Sequence, residues 1–250
     1  MRALDLQGRP CSIELPAADE AVLPGVRWGA FDAHLTPAFW AGRVFLATIV
    51  GDGSSYRLGM SLREEVAACL LGGYGMRAEV GLAAFRRLRD EGLLIGAPSR
   101  ETLTERLSQP MRLGARTCGY RFARQKAAYL AHCLAHLPEQ DDVALSDRAL
   151  RAGLLALPGI GLKTASWIVR NWRCSDEVAI IDVHVWRACV VAGVFSEASS
   201  PSRDYGALEE KFLSFALAMG CRPSVLDNVI WREMRGWVST APHTVAGTRS

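Results

Sequence analysis

The chain has 250 residues, half of them hydrophobic and 22% charged, which excludes a disordered protein and allows a substantial buried core. Its net charge of +3 is too small to name a polyanionic partner. The opening MRALDLQGRP lacks the apolar core of a signal peptide, and the apolar run 44–50 is too short to span a bilayer; a cytoplasmic protein with no membrane partner is expected. Seven cysteines, widely spaced and without a C-x-x-C pair, point to reduced thiols and away from a disulfide framework or a zinc site.

Residues 1–35 carry short, weakly alternating stretches at 11–15 and 26–31, and are read as an extension with a strand or two. From Thr36 the signal is helical. Ser61 followed by Glu64 is a capping box, opening a helix that Gly72-Gly73 stops after Leu71. A second amphipathic helix covers 78–89. From Arg106 to Pro138 there are six basic residues (Arg106, Arg112, Arg116, Arg121, Arg124 and Lys126) and no carboxylate. Such a stretch suits a phosphate backbone, and equally a solvated helix face. Residues 121–137 have helical spacing and end at Pro138.

Helices over 147–155 and 162–172 flank the tight turn Leu157-Pro158-Gly159-Ile160-Gly161. Gly159 and Gly161 let the backbone turn sharply and approach another chain without a side chain in the way. The N–H groups that begin the next helix then point outward, an arrangement suited to a phosphate. A DNA-binding hairpin without chemistry of its own would look the same. Lys163 distinguishes the two. It is one of three lysines, with Lys126 and Lys211, among 29 basic residues. Arginine keeps its proton near neutral pH, whereas a lysine at a positive helix end and partly out of water can lose it and act as a nucleophile.

Nineteen residues on, Asp182 follows an apolar run and caps a helix over 183–193 (IIDVHVWRA). A capping aspartate is ordinarily structural. A fixed anion also steadies a developing cation, such as a sugar losing its base. Helices over 204–218 and 223–235 complete a mainly α fold, and the tail from Ser239 is polar.

LPGIG, Lys163 and the aspartate of IIDVHVWRA together resemble the helix-hairpin-helix, glycine/proline-rich, aspartate superfamily of DNA glycosylases. The stretches DVHVWR and GYRFAR are similar to those of its lysine-bearing, bifunctional 8-oxoguanine enzymes. The resemblance implies two helical lobes with a central cleft over 36–238, with 239–250 as a flexible tail. It implies a nucleoid-associated monomer acting on double-stranded DNA with a modified base, without metal or organic cofactor. Lys163 would attack C1′ of a flipped nucleotide, and Asp182 would support the oxocarbenium-like transition state. The Schiff base formed would permit β-elimination.

By the same resemblance, Trp167, one turn beyond Lys163, and the pair Asp227 and Trp231 would hold the extruded base. The alternative is that both tryptophans are core residues. Tyr120 and Arg121 would contact the partner base left behind. Tyr74, Met76 or Arg77, in the glycine-rich LGGYGMR, would wedge the duplex. The chain departs from relatives in lacking the C-terminal four-cysteine cluster and in carrying a tryptophan at 167. The best reading of the base is 8-oxoguanine; another lesion, or a bulky modified cytosine of the kind found in phage DNA, fits the same mechanism. A non-catalytic hairpin protein is the remaining alternative.

Overall fold

The structure, a computed structural model, describes residues 1–51, 56–73, 75–138 and 144–240. Of the tail expected over 239–250, residues 239 and 240 belong to the last helix, and those from 241 onward lie outside the described residues, as does Tyr74. The chain forms two compact units, one of Met1–Gly53 with Ile181–Ser250 and the other of Ser54–Ile180.

The first unit begins with two antiparallel ribbons, β1 (Arg2–Leu4) with β2 (Pro10–Ser12), and β3 (Ala21–Leu23) with β4 (Val26–Arg27). Four short strands thus stand where one or two were expected. Helix α1 (Pro37–Ile49) follows. Its start is set by local chemistry: Thr36 Oγ1 accepts from Phe39 N at 3.1 Å, and Pro37 needs no N–H at the first helical position.

The second unit holds α2 (Leu62–Leu71), α3 (Ala78–Asp90), α4 (Arg100–Ser108), the ribbon β5 (Met111–Leu113) and β6 (Arg116–Cys118), α5 (Ala123–His136), α6 (Asp147–Leu155) and α7 (Leu162–Arg173). The Ser61 cap is present, accepting from Glu64 N at 3.2 Å. Glu64 reaches back to Met60 N at 2.8 Å rather than to the cap residue. A single apolar core running from Leu62 to Val178, with Phe85, Leu103, Leu130 and Ile168 inside, holds these helices together. Neither α4 nor the β5–β6 ribbon was expected, and α5 begins at Ala123, two residues later than the periodicity indicated.

The chain then returns to the first unit with α8 (Val183–Val191), α9 (Tyr205–Ala218) and α10 (Pro223–Thr240). Helix α10 packs on α1, α8 and α9, and β3 packs on α9. Trp40, Phe212, Phe215 and Ile230 are fully buried there. No helix among the described residues is long and apolar enough to cross a membrane.

Candidate active site

Helices α6 and α7 form a hairpin, and its turn is built from residue chemistry. Gly159 has φ +79°, and a Cβ there would lie 2.3 Å from Tyr129 Cδ2 on α5. Only glycine satisfies both conditions. Gly161 differs: its φ of −96° suits any residue, and a Cβ would meet nothing within 4 Å. The space beside Gly161 is open to another molecule. Two guanidinium groups fasten the helices to each other. Arg151 donates to Ser166 Oγ at 3.1 Å, and Arg173 to Asp147 Oδ1 at 3.3 Å and to the carbonyl of Leu145.

Gly161 is the N-cap of α7 and offers no side chain to its first N–H groups. Lys163 is the second residue of that helix, half-buried. A free helix end with a lysine in its first turn is a positive, donor-rich site.

The far end of α7 is tied down by a residue that the sequence did not single out. Glu65 of α2 is fully buried. Its Oε1 accepts from Asn171 Nδ2 at 2.8 Å, and its Oε2 from the N–H groups of Leu58 and Gly59 at 2.6 and 3.0 Å. Burial pushes its carboxyl above the ordinary range, against the opposing effect of these hydrogen bonds. Arg57 adds a bond to the carbonyl of Trp172 at 2.7 Å and stacks 3.9 Å over its ring. The helix that carries Lys163 is therefore held at both ends.

Trp167 is half-buried, one turn beyond Lys163. Its ring edge rests on Gly72, where an added Cβ would fall 3.1 Å from Cη2. Tyr120 reaches the same place: it is 5% exposed, and its hydroxyl donates to Leu71 O at 2.6 Å. Burial pushes this phenol well above its ordinary range. Tyr120 is thus committed to the protein interior, unlike a side chain poised to enter DNA. The exposed Arg121, 5.1 Å over Phe122, has the accessibility that role needs. In the neighbouring loop, Met76 packs on the core, while the exposed Arg77 pairs with Glu79 at 2.9 Å.

In the other unit, Asp182 is the N-cap of α8, as its position indicates. Its Oδ1 accepts from His184 N at 2.8 Å and Val185 N at 2.9 Å, which fixes the carboxylate's place. Asp227 and Trp231 stand one turn apart on α10. Asp227 is 1% exposed, whereas Trp231 is half-buried with Arg235 5.1 Å over its ring. Neither Trp167 nor Trp231 is a fully buried core residue.

A mainly helical fold with a Pro-Gly-x-Gly hairpin, a lysine opening its second helix and an aspartate capping the next defines a helix-hairpin-helix DNA glycosylase. Residues 57–221 match the family model described as 8-oxoguanine DNA glycosylase, Ogg-HhH, and the chain belongs to that family. Among solved structures it is similar to the 8-oxoguanine DNA glycosylase of Thermotoga maritima, with 25% identity and a TM-score of 0.57 over 70% of this chain and 80% of that one. It is similar also to the 8-oxoguanine DNA glycosylase of Methanocaldococcus jannaschii, with 23% identity and a TM-score of 0.61 over 80% and 95% of the two chains. The glycosylase/lyase of that organism in complex with a 15mer DNA containing 8-oxoguanine gives 23% identity and a TM-score of 0.57 over 82% and 93%. No curated protein matches the chain. The protein is a DNA glycosylase of the base-excision type.

Proposed function

We infer that the chain excises 8-oxoguanine from double-stranded DNA as a monomer, and that it is a lyase as well as a glycosylase. The observation that carries this reading is the place of Lys163, in the first turn of a helix whose N-cap is a glycine with no side-chain cap. The target nucleotide leaves the stack. Lys163 Nζ attacks C1′ as the glycosidic bond to the base breaks, and the electron pair of that bond leaves with the base. Positive charge grows on the sugar in this step, and the carboxylate of Asp182 stabilises it. Ring opening gives a Schiff base between Nζ and C1′. Loss of a proton from C2′ then expels the 3′ phosphate and cuts the strand.

Trp167, Trp231 and Asp227 hold the base in this reading. Aromatic stacking contributes about 1–3 kcal/mol per contact, and the carboxylate accepts from N–H donors on the pairing edge. Gly159 and Gly161 bring the hairpin against the backbone, Arg121 meets the partner base, and Met76 and Arg77 flank the opened duplex. The choice of 8-oxoguanine follows the family and the similar enzymes of Thermotoga maritima and Methanocaldococcus jannaschii, which are 8-oxoguanine DNA glycosylases.

The test is a panel of duplexes, each with one modified base, read for abasic sites and for nicks. Release of 8-oxoguanine with nicking is expected. Release of a different base, such as a bulky modified cytosine, would overturn the substrate; abasic sites without nicks would overturn the lyase.

A further inference from the structure

Tyr129 and Cys133 of α5 seat that helix on the hairpin turn. Gly159 lies against the Tyr129 ring, and Cys133 Sγ is 3.9 Å from Pro158 O. Lys126 stands one turn before Tyr129 on the same face of α5, since residues three apart on a helix are neighbours. Lys163 begins α7 four residues after Gly159. The seating therefore brings together the two lysines of this unit. Both are half-buried. Among the described residues neither side chain forms an ion pair or a hydrogen bond. Helix α5 offers no counter-charge either, because residues 106–138 contain no Asp or Glu.

Two ammonium groups close to each other, partly out of water and without a carboxylate, are a cost to the fold. That cost is visible at Lys126, which burial, and then the charge of Lys163, push below the ordinary lysine range. The uncapped start of α7 adds positive potential at the same place. An anion from outside the protein removes the conflict.

We propose that Lys126 is a phosphate-binding residue, taking one of the two DNA phosphates that flank the extruded nucleotide. Held there, that phosphate fixes the adjoining deoxyribose with its C1′ at Lys163. The proposal rests on the glycosylase/lyase reading of Lys163 and adds a contact that positions the sugar. Arg112, Arg116 and Arg124, exposed along the same carboxylate-free stretch, continue the positive surface.

The experiment is equilibrium binding of the full chain to a duplex with one tetrahydrofuran abasic analogue, across a range of salt concentrations. Each phosphate neutralised adds about 0.9 to the magnitude of the log–log salt slope. Lys126→Gln should lower that magnitude by about one, while Lys126→Arg keeps the wild-type slope. A neutral methylphosphonate at one of the two flanking positions should give the wild-type chain the slope of Lys126→Gln, and cost Lys126→Gln nothing further. Intact binding with an unchanged slope in Lys126→Gln would overturn the phosphate contact alone. Absence of binding by the wild-type chain would overturn the glycosylase reading with it.

Discussion

Asn171, in the last turn of α7, donates to Glu65 on α2 across 2.8 Å, joining two buried groups 106 residues apart. This bond braces the helix whose other end carries Lys163. It also places a carboxyl where water cannot solvate it, and burial raises that group above its ordinary range.

The folded chain therefore keeps a proton on Glu65 to higher pH than the unfolded chain does. The contribution of this group to stability is fully present below the unfolded value, near 4.5. It is lost as the pH rises through the raised folded value. The advantage of the wild-type chain over Glu65→Gln should shrink as the pH rises above the unfolded value near 4.5, measured by urea unfolding. An advantage that grows with pH would mean that the hydrogen bonds to the ionised form outweigh burial.

The hairpin turn makes opposite predictions for its two glycines. Gly159→Ala combines a positive φ with a Cβ placed 2.3 Å from the Tyr129 ring. It should cost about 2–4 kcal/mol in chemical unfolding, and Tyr129→Ala in the same chain should recover part of that loss.

Gly161→Ser meets open space, and its backbone, with φ −96° and ψ 177°, already suits a capping residue. Stability should be unchanged or slightly raised. DNA affinity should fall, because the added side chain occupies the approach to the uncapped helix. Equal affinity would show that DNA does not come near this turn.

Much of this geometry is legible in the sequence because it is local. Pro-Gly-x-Gly specifies the turn and Asp182 its own cap without reference to distant residues. What the sequence hides depends on tertiary contact. The β5–β6 ribbon has three-residue strands, too short for alternation to register, and is pinned by Arg87, which donates to the carbonyls of Arg106, Gln109 and Pro110. Helix α4 buries only Leu103 and Leu107, too few for a helical stripe to stand out. Little beside Glu65 in the chain announces its burial, since apart from Cys69, one turn on in α2, its partners come from α7 and a preceding loop. Tyr120 is the reverse case, where a motif suggested exposure and a carbonyl 49 residues away holds the side chain inside. Two features of the sequence point to Lys126, the scarcity of lysine and the carboxylate-free basic stretch 106–138, and neither places it beside Lys163.

Asp182→Asn separates the two duties of that residue. Asparagine caps a helix about as well as aspartate does, so the bonds to His184 N and Val185 N should persist. Unfolding free energy should change by less than about 0.5 kcal/mol. Single-turnover base release should slow by about 100- to 1,000-fold, the scale of losing one fixed electrostatic partner in a transition state. Asp182→Ala should show the same slowing and lose about 1 kcal/mol of stability besides. Normal release by Asp182→Asn would reduce the residue to a helix cap.

The most direct test of the account is borohydride trapping on duplex DNA containing 8-oxoguanine, comparing the wild-type chain with Lys163→Gln. The wild-type chain should form a covalent protein–DNA adduct, and Lys163→Gln should form none while still binding the duplex. An adduct of equal yield from Lys163→Gln would contradict the assignment of Lys163 as the nucleophile.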